Sequence, residues 1–569
     1  MKKRLIVGLL VLTLIALPLL AACAGEEATT APPTTAPATS APAEPTAAPP
    51  TEPTAAPPTE PTAAPPAEPT AAPPAEPTGA PAAPASLTIG YGGPPVASVD
   101  PCDFMSGAPP GIFEALVAFD GNEQMVGALA ESWTLSEDGK MLEFKLKEDI
   151  VFSSGDPFTS ADVVFSLERN AEKNMAVAAQ LTQNFDRIEA VDDYTVRFYF
   201  PETNVQFLPQ TCANMFITSK AYYDQVGEEG YLDLPVGTGP YKIVDWQEGQ
   251  YVNVAYNENW RGEKPQIEEA SFLSAPDGAT RVAMLQAGEV DMITQTPWTN
   301  VVPLQEAGFA RVDVQMPHDV ALQFDLLVPD VPWADVKVRQ AINYAIDKEA
   351  LIDSLFGGVP QEGVWLLPWE LGYDASLKPA YPYDLEMAQQ LMADAGYADG
   401  FDMPLYYPTF MEWATDLADY LTNALQAINI NVELIGLSTF PEFMGTIAGQ
   451  HNMEIESAVV LFDYGWPGNP EPVINLTNGF YMEKDNTLYD SPQVYDLITQ
   501  ALATVDNDAR AELISQAYTI INEDLPFIPI CLEVATTMMK PDMVYVKSVG
   551  GMAAGPGNLI DLTVNQSQT

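Results

Sequence analysis

Histidine and cysteine, which often carry catalysis and metal binding, are scarce in this sequence. Its 569 residues include two histidines and four cysteines. No Gly-x-Ser-x-Gly nucleophile elbow and no His-Glu-x-x-His zinc motif occurs in it. The histidines, His318 and His451, are isolated, which is typical of structural or surface residues. These absences argue against a serine hydrolase or a zinc enzyme, and no spacing predicts a metal or an organic cofactor.

Positive charge is also in short supply. The chain has 24 Lys and Arg against 78 Asp and Glu, a formal net charge of −54 at pH 7. Nucleic acids and anionic surfaces are therefore poor partners. The excess of acid is typical of a protein that stays soluble in a salty or acidic exterior; an acidic pocket for a cationic solute is the alternative.

The N-terminus has the charge order of a secretory signal peptide. Lys2, Lys3 and Arg4 precede an apolar run over residues 5–20, which is short for a membrane span. The run ends in Leu20-Ala-Ala-Cys23, which resembles the bacterial lipobox, where cleavage precedes a cysteine whose sulfur receives a lipid. We expect a signal peptide over residues 1–22 and a lipid anchor on Cys23, with a buried structural cysteine as the alternative.

Residues 23–86 are predicted to form a disordered linker behind this anchor. From Glu26 onward the segment is almost entirely Ala, Pro, Thr and Glu, with an eight-residue repeat marked by Glu44, Glu52, Glu60, Glu68 and Glu76. Closely spaced prolines favour extended polyproline II, and large apolar residues that could offset the entropy of ordering are missing. The segment would act as a tether for the globular part.

Residues 87–569 exceed the length that a single hydrophobic core usually supports, so two or more lobes are expected. Alternation of apolar and polar residues predicts strands over 141–147 and 195–200. Between them, Thr159-Ser-Ala-Asp162 has capping-box spacing and predicts a helix through Val163, Val164 and Leu167.

The later half of the chain shows three further helical patterns and one strand. One helix is predicted to begin near Asp335 and to end at Gly357-Gly358, with Val338, Ile342, Ala345 and Ile346 on one face. Others are predicted from Met387 to Gly396 and over 413–428, before a strand over 430–434. Helices and strands mix without strict alternation, which favours α/β lobes with mixed sheets. Beyond Cys23 the chain has Cys102, Cys212 and Cys531, so one disulfide is allowed and the pairing is open.

A series of short segments after residue 87 occurs in an order and at spacings typical of one family. These are Leu129-Ala-Glu-Ser-Trp133, Ser136-Glu-Asp-Gly139, Gly155-Asp-Pro-Phe-Thr159, Ala161-Asp-Val-Val-Phe-Ser166, Gly237-Thr-Gly-Pro-Tyr-Lys242, Asn257-Glu-Asn-Trp260, Gly288-Glu-Val-Asp291, Val338-Arg-Gln-Ala-Ile-Asn-Tyr-Ala-Ile-Asp347, Ala395-Gly-Tyr397, Tyr489-Asp-Ser-Pro492 and Leu525-Pro-Phe-Ile-Pro-Ile530. Together they resemble the oligopeptide- and dipeptide-binding proteins, family 5 of the extracellular solute-binding proteins of ABC importers. Each segment also has a structural interpretation: the glycines of Gly237-Thr-Gly-Pro240 suit a tight turn with positive φ, and Arg339 suits a salt-bridging helix face.

The resemblance implies a two-lobed periplasmic-binding-protein-like fold (class II, large cluster C) with a two-strand hinge. The first lobe would comprise residues 87–315 plus 525–569, and the second lobe residues 316–524, with crossings near 314–326 and 525–534. It also implies binding without catalysis, delivery to a permease with its ATPase subunits, and an exported, lipid-anchored monomer. Solute contacts with both lobes would favour closure.

The resemblance also directs attention to several candidate ligand contacts. In peptide-binding relatives an aspartate holds the α-amino group of the solute; in the matching stretch here the only acid is Asp463, about three positions early. Dipeptide binders use an arginine in a loop whose counterpart, residues 405–413, has no cation. This segment carries aromatic residues where the dipeptide binders have the arginine. Aromatic rings can stack on sugars or attract cations. The candidate set is Trp365, Trp369, Tyr406, Tyr407, Phe410, Trp413, Asp463, Tyr464 and Trp466; about half of the aromatic residues are expected to fill the core instead. Gly107–Gly111 weakly resembles a solute-facing loop.

Three functions are compatible with these features. The first is capture of a neutral or cationic oligomeric solute, peptide-like or an oligosaccharide, for import. The second is a secreted glycoside hydrolase, because paired carboxylates are defined by space and not by sequence. The third is a sensor or adhesion module on the same scaffold.

Overall fold

The structure is a computed structural model, and it describes residues 85–92, 96–103, 106, 108–120, 124–173, 186–213, 215–377, 381–448, 459–464, 476, 488–545, 549–550, 559 and 562–564. These residues belong to one structural unit, residues 79–569. The signal peptide, Cys23 and the predicted linker lie outside the described residues, apart from the end of the linker at Ala85. No helix within the described part is long and apolar enough to cross a membrane.

The described elements mix helices and strands as expected. The strands are β1 (Ala85–Tyr91), β2 (Val117–Asp120), β3 (Met125–Gly127), β4 (Ala130–Leu135), β5 (Met141–Leu146), β6 (Arg187–Asp192), β7 (Thr195–Tyr199), β8 (Tyr241–Gln247), β9 (Tyr251–Tyr256), β10 (Ile267–Ser274), β11 (Met292–Ile293), β12 (Ala310–Phe324), β13 (Gln361–Glu362), β14 (Phe401–Pro408), β15 (Ile430–Leu437), β16 (Val459–Tyr464), β17 (Phe527–Met539), β18 (Met543–Tyr545), β19 (Val549–Gly550) and β20 (Leu562–Val564). The α-helices are α1 (Ser160–Glu172), α2 (Lys220–Asp233), α3 (Gly278–Ala287), α4 (Trp298–Glu306), α5 (Val336–Ala345), α6 (Lys348–Phe356), α7 (Leu385–Asp394), α8 (Ala414–Gln426), α9 (Phe440–Ala448), α10 (Pro492–Leu502) and α11 (Asn507–Asp524).

One sheet runs through both lobes. Within the described residues it has the order β15-β14-β16-β12-β17-β11-β1-β10-β9-β8, and β13 pairs with β17 off this path. Strands β1, β8, β9, β10 and β11 form its first-lobe end, and β14, β15 and β16 form its second-lobe end. Smaller sheets β4-β5-β7-β6, β19-β2-β3 and β18-β20 complete the described topology. The mixed α/β, two-lobed architecture predicted from the sequence is confirmed.

Two long strands connect the lobes. β12 and β17 pair antiparallel: residues 310–315 of β12 face 534–539 of β17, and 319–323 face 527–532. The register shifts between Gln315 and Asp319 and again between Val320 and Ala321. On their other sides, β17 pairs antiparallel with β11, and β12 pairs antiparallel with β16. These strands are the expected crossing strands.

Separate apolar cores support the two ends of the sheet. Ile89, Val252 and Phe272 are buried at the first-lobe end, and a second first-lobe core packs α1 on the four-stranded sheet through Val163 and Leu167. The second-lobe core gathers α5, α6 and α8 around β12 and β14. The predicted strands over 141–147 and 195–200 are β5 and β7, paired antiparallel.

Local signals explain several element boundaries. The capping-box spacing at Thr159 is realised, because the Asp162 carboxylate accepts the Thr159 N–H at 2.8 Å, and α1 follows. The single helix predicted from Asp335 to Gly357 is wrong. The chain leaves the helix at Ile346, and Asp347 caps a new helix, α6, by accepting the Ala350 N–H at 3.0 Å.

Three other expectations are corrected. Gly237 and Gly239 are not among the positive-φ residues; they allow close packing, since a Cβ atom would lie 2.0 Å from Ile112 O and 2.3 Å from Gly111 O, respectively. Arg339 does not lie on a salt-bridging face; it is buried and donates to backbone carbonyls of Trp333, Ala334, Asp524 and Leu525. The three described cysteines, Cys102, Cys212 and Cys531, are buried, and no disulfide joins any two of them.

Candidate functional site

The first-lobe end of the sheet presents a carboxyl edge made of three parallel strands. β1 pairs parallel with β10 and with β11, so Gly92, Ala275 and Thr294 follow directly at the same edge. The Gly92 N–H donates to Thr294 Oγ1 at 3.0 Å, and the Ala275 N–H donates to Tyr91 O at 3.0 Å. Ligands of open α/β sheets bind outside such carboxyl ends, so this edge is one wall of the candidate site.

Arg281 of α3 holds this edge together. Its guanidinium donates to the carbonyls of Ala275, Pro276 and Gln295 at 2.6–2.8 Å, and the residue is only 2% exposed. Burial lowers the pKa of Arg281, and the neighbouring acids oppose this effect. Gly92 leaves room for the guanidinium, because a Cβ atom there would lie 2.8 Å from Arg281 Cζ.

The second-lobe end presents a matching edge. β14 pairs parallel with both β15 and β16, and these strands end at Pro408, Leu437 and Tyr464. Thr409 closes the first two ends, because its N–H donates to Leu437 O at 2.8 Å. The loop over residues 409–413 therefore stands at the carboxyl edge, directly before α8.

The two carboxyl edges meet each other. The backbone N–H of Gly278, the first residue of α3, donates to Glu412 Oε1 at 3.0 Å. The same oxygen lies 3.7 Å from an Arg281 nitrogen. Because Gly278 lies four residues after the end of β10 and Glu412 four residues after the end of β14, the cleft lies between the two edges beside the β12–β17 crossing.

Four predicted aromatic residues lie in or directly after β14, and they pack on two different cores: Tyr406 with Phe443, and Tyr407 and Trp413 on the second-lobe core. Tyr406 and Tyr407 are half-buried near the end of strand β14, and burial raises the pKa of Tyr406. Phe410 is 36% exposed and meets Phe443 of α9 edge to face, with ring centroids 6.0 Å apart. Trp413 is half-buried against the second-lobe core, directly before α8. Phe410 is therefore the most open ring of the four.

The remaining second-lobe candidates at this edge are only partly described. Asp463 and Tyr464 end β16, where their backbones pair with Val320 and Asp319, and nothing is described of their side chains. Trp466 and Gly107 lie outside the described residues, as does His451, and the side chain of His318 is likewise not described. The backbone placement puts Asp463 and Tyr464 beside the end of β14.

The two other tryptophan candidates lie in the loop after β13. Trp365 donates its indole N–H to Asn522 Oδ1 at 2.7 Å and packs on Phe527, with ring centroids 5.8 Å apart. The preceding Val364 N–H donates to Asp319 Oδ1 at 3.1 Å, which ties the loop to the hinge strand β12. Trp369 is 38% exposed in the same loop. Trp365 therefore lies beside the hinge strands β12 and β17.

A buried cation lies at the hinge crossing. Lys348 is 5% exposed, its Nζ has no hydrogen-bond partner, and Glu362 Oε1 lies 3.7 Å from it. Burial lowers the pKa of Lys348, and the negative charges of Glu362 and Asp319 partly oppose this shift. Since Glu362 pairs with Cys531 and Asp319 with Leu532, these charges flank the place where β17 passes between lobes.

A buried arginine of α1 anchors the first-lobe loop that begins at Asp100. Arg169 of α1 binds both carboxylate oxygens of Asp100 at 2.7 Å and also donates to Cys102 Sγ at 2.8 Å. The rings of Tyr223 and Tyr231 lie beside the guanidinium at 5.5 and 4.8 Å. Burial is the main cause that raises the pKa of Cys102 to about 11, which keeps this thiol protonated.

Sequence reasoning missed the residues that join the two edges. Arg281, Gly278 and Glu412 were not among the candidates, although Asp277-Gly278 before an apolar helix is a helix-start signal. Asp277 does cap α3, since its carboxylate accepts the Thr280 N–H at 2.7 Å. Within the described residues no group of three His, Cys, Asp or Glu side chains could hold a metal ion.

Two α/β lobes on two crossing strands, with a carboxyl edge at each end of the shared sheet, are typical of a two-lobed solute-binding protein. The family model described as "Bacterial extracellular solute-binding proteins, family 5 Middle" matches residues 124–486, and the chain belongs to this family. Its members are binding proteins of ABC importers that act outside the cytoplasm and are not enzymes, so the glycoside hydrolase alternative is wrong.

The individual proteins to which this chain is similar are also binding proteins. The chain is 28% identical over 442 residues to the glutathione-binding protein GsiB of Escherichia coli K12, covering 74% of this chain and 83% of the relative. It is 28% identical over 488 residues to heme-binding protein A of Haemophilus influenzae, covering 79% and 87%. Among solved structures, the DppA periplasmic binding protein of Helicobacter pylori in complex with peptide STSA superposes with a TM-score of 0.69 at 24% identity, covering 85% of this chain and 98% of that one.

Proposed function

We propose that this chain captures a neutral or cationic oligomeric solute, peptide-like in chemistry, between its lobes and delivers it to an ABC permease. The first lobe comprises residues 87–315 plus 525–569, and the second lobe comprises residues 316–524. The observation that carries the proposal is the meeting of the two carboxyl edges at Gly278 and Glu412. Groups from both edges then surround one volume, so a solute that contacts both favours closure.

The charges at the edges support the solute's neutral or cationic character. Arg281 already donates to three carbonyls, so its guanidinium is committed to the fold. Glu412 adds an acid to the mouth of the cleft, with its side chain 49% exposed, and Asp463 ends a strand of the same edge. An anionic solute would meet these carboxylates without a matching free guanidinium from Arg281.

We assign the ligand contacts to both sides of the second lobe. Tyr406, Tyr407, Phe410, Trp413, Asp463, Tyr464 and Trp466 would surround the solute at the strand ends, and Trp365 and Trp369 would bound it on the hinge side. Relatives carry names as different as glutathione-binding and heme-binding. The side chains at the edges, and not the scaffold, therefore select the solute.

An oligosaccharide is the second candidate solute. Phe410 and Trp369 are 36% and 38% exposed, and flat exposed rings stack on the apolar faces of sugars. Export and a diacyl anchor on Cys23, followed by a tether over residues 23–86, would hold the monomer at the outer face of the cytoplasmic membrane, beside the permease and its ATPase subunits.

The solute can be identified directly. Native mass spectrometry of the chain purified from its source should reveal a co-purifying compound. A panel of peptides and oligosaccharides should then raise the free energy of unfolding by roughly 2–3 kcal/mol at a hundredfold excess over Kd. Trp466→Ala should weaken binding by about tenfold or more with unchanged folding stability. No stabilisation by either class at concentrations far above micromolar refutes the proposed solutes, and unchanged affinity with lost stability assigns Trp466 to the core.

A further inference from the structure

Glu412 makes a contact that spans the cleft. It belongs to the loop between β14 and α8, whereas its hydrogen-bond donor, Gly278, begins α3 on the opposite edge. The approach is close: a Cβ atom on Gly278 would lie 2.6 and 2.9 Å from the two Glu412 carboxylate oxygens. The glycine therefore leaves the space in which the carboxylate lies against the helix.

The partner surface is suited to a carboxylate. The first N–H groups of a helix have no acceptor within the helix and carry a partial positive charge. Asp277 satisfies the Thr280 N–H, and Glu412 satisfies that of Gly278. Arg281, one turn further along α3, adds a full positive charge 3.7 Å from Glu412 Oε1. The contact is thus a charge-assisted hydrogen bond supported by a nearby cation.

Two apolar contacts between the lobes accompany it. Gly139, in the turn between β4 and β5, lies against Val505 of the α10–α11 loop, since a Cβ atom there would be 3.0 Å from Val505 Cγ2. Trp298 of α4 meets Phe356 of α6 beside the hinge, with ring centroids 4.7 Å apart. Glu412 differs from these because its partner is polar and lies at the cleft mouth, where opening of the lobes separates the two edges.

We propose that Glu412 is a closure latch: it docks on the first turn of α3 and favours the closed arrangement before any solute arrives. This inference rests on the proposed function, because it assumes that the lobes open and close around a solute. Glu412 is half-exposed, so water screens the contact and its strength resembles that of a surface ion pair. Loss of the latch should therefore reduce the ratio of closed to open molecules about three- to fivefold.

The latch is tested by an inter-lobe distance in solute-free protein. Spin labels are introduced by Gln286→Cys on α3 and Asp419→Cys on α8, both exposed, with Cys23→Ser to remove the one other cysteine that is not described as buried. Double electron–electron resonance of the full chain then reports how far the two edges are apart. Glu412→Ala should increase the fraction of long distances. Glu412→Gln should have a smaller effect, because its amide oxygen still accepts the Gly278 N–H but lacks the charge.

Asp416→Asn is the matched control. It removes one negative charge from an exposed position four residues later, in the first turn of α8, and should leave the distances unchanged. Distances in Glu412→Ala that equal those of the parent overturn the latch, whatever the solute is. In contrast, labelled parent protein whose distances do not respond to its co-purifying solute overturns the proposed function and leaves the latch result standing.

Discussion

The indole ring of Trp298 and the phenyl ring of Phe356 meet edge to face, with their centroids 4.7 Å apart, and so join α4 to α6 beside the crossing strands. The indole N–H of Trp298 also donates to Val534 O of β17 at 2.9 Å. One aromatic pair thus packs a helix from each side of the hinge onto the same strand. The contact therefore joins the two lobes beside the crossing strands.

Removal of the Phe356 ring should therefore lower the free energy of unfolding. Phe356 is buried, and truncation of a buried Phe to Ala typically lowers the free energy of unfolding by about 3–5 kcal/mol. Urea denaturation of Phe356→Ala should show this loss, whereas Tyr383→Ala, at a half-exposed ring, should change stability by less than about 0.5 kcal/mol. Equal effects of the two substitutions would show that the Trp298–Phe356 contact is not part of the core.

Arg339 should prove to be a backbone anchor and not a surface charge. It donates to the carbonyls of Asp524 and Leu525, where α11 ends in a left-handed conformation with φ +49° at Leu525. Arg339→Met leaves these buried carbonyls without donors and should lower the free energy of unfolding by about 3 kcal/mol or more. Lys337→Met, an exposed position on the same helix, is the control. A loss no larger than that of the control contradicts this role.

Lys348 should destabilise the fold at neutral pH. Burial lowers its pKa from the ordinary 10.5, so the folded chain binds this proton less readily than the unfolded chain does. The free energy of unfolding should then rise with pH between the folded-state pKa and 10.5. Lys348→Met should be more stable than the parent by about 1 kcal/mol at pH 7, and this difference should shrink as the pH rises.

Urea denaturation of Lys348→Met and of the parent across this pH range measures the effect. Lys264→Met, which removes a half-exposed lysine, is the matched control. A large loss of stability in Lys348→Met at pH 7 would mean that the ammonium is better satisfied than its contacts indicate.

The buried cysteines should be unreactive in the folded chain. Burial raises the pKa of Cys102 to about 11 and that of Cys212 well above its usual range, so both are thiols at pH 8. Iodoacetamide at pH 8, followed by peptide mapping, should modify Cys102, Cys212 and Cys531 only after denaturation. A disulfide between any two of them, or rapid labelling in the native state, contradicts their placement as buried thiols.

The sequence predicted the elements whose signals are local. Alternation located β5 and β7, and the Thr159–Asp162 spacing located the start of α1, because each signal depends on residues within one strand or one helical turn. The break between α5 and α6 was missed. Asp347 can continue a helix or cap a new one, and the packing of buried Ile346 decided between these outcomes.

The site was less accessible to sequence reasoning because its parts are distant in the chain. The Glu412–Gly278 contact joins residues 134 positions apart, and no periodicity in either segment points to the other. The resemblance pointed to residues 405–413, which the structure places at the end of β14 and in the loop after it. Residue type alone did not distinguish Trp365, whose indole is bonded to Asn522, from the more exposed Trp369 and Phe410.

Small-angle X-ray scattering of the purified chain, with and without a saturating concentration of its co-purifying solute, tests the central claim most directly. Because contacts with both carboxyl edges favour the closed lobes, the radius of gyration should fall when the solute binds. Identical scattering in the two states, or chemical conversion of the solute by the protein, would contradict capture between two moving lobes.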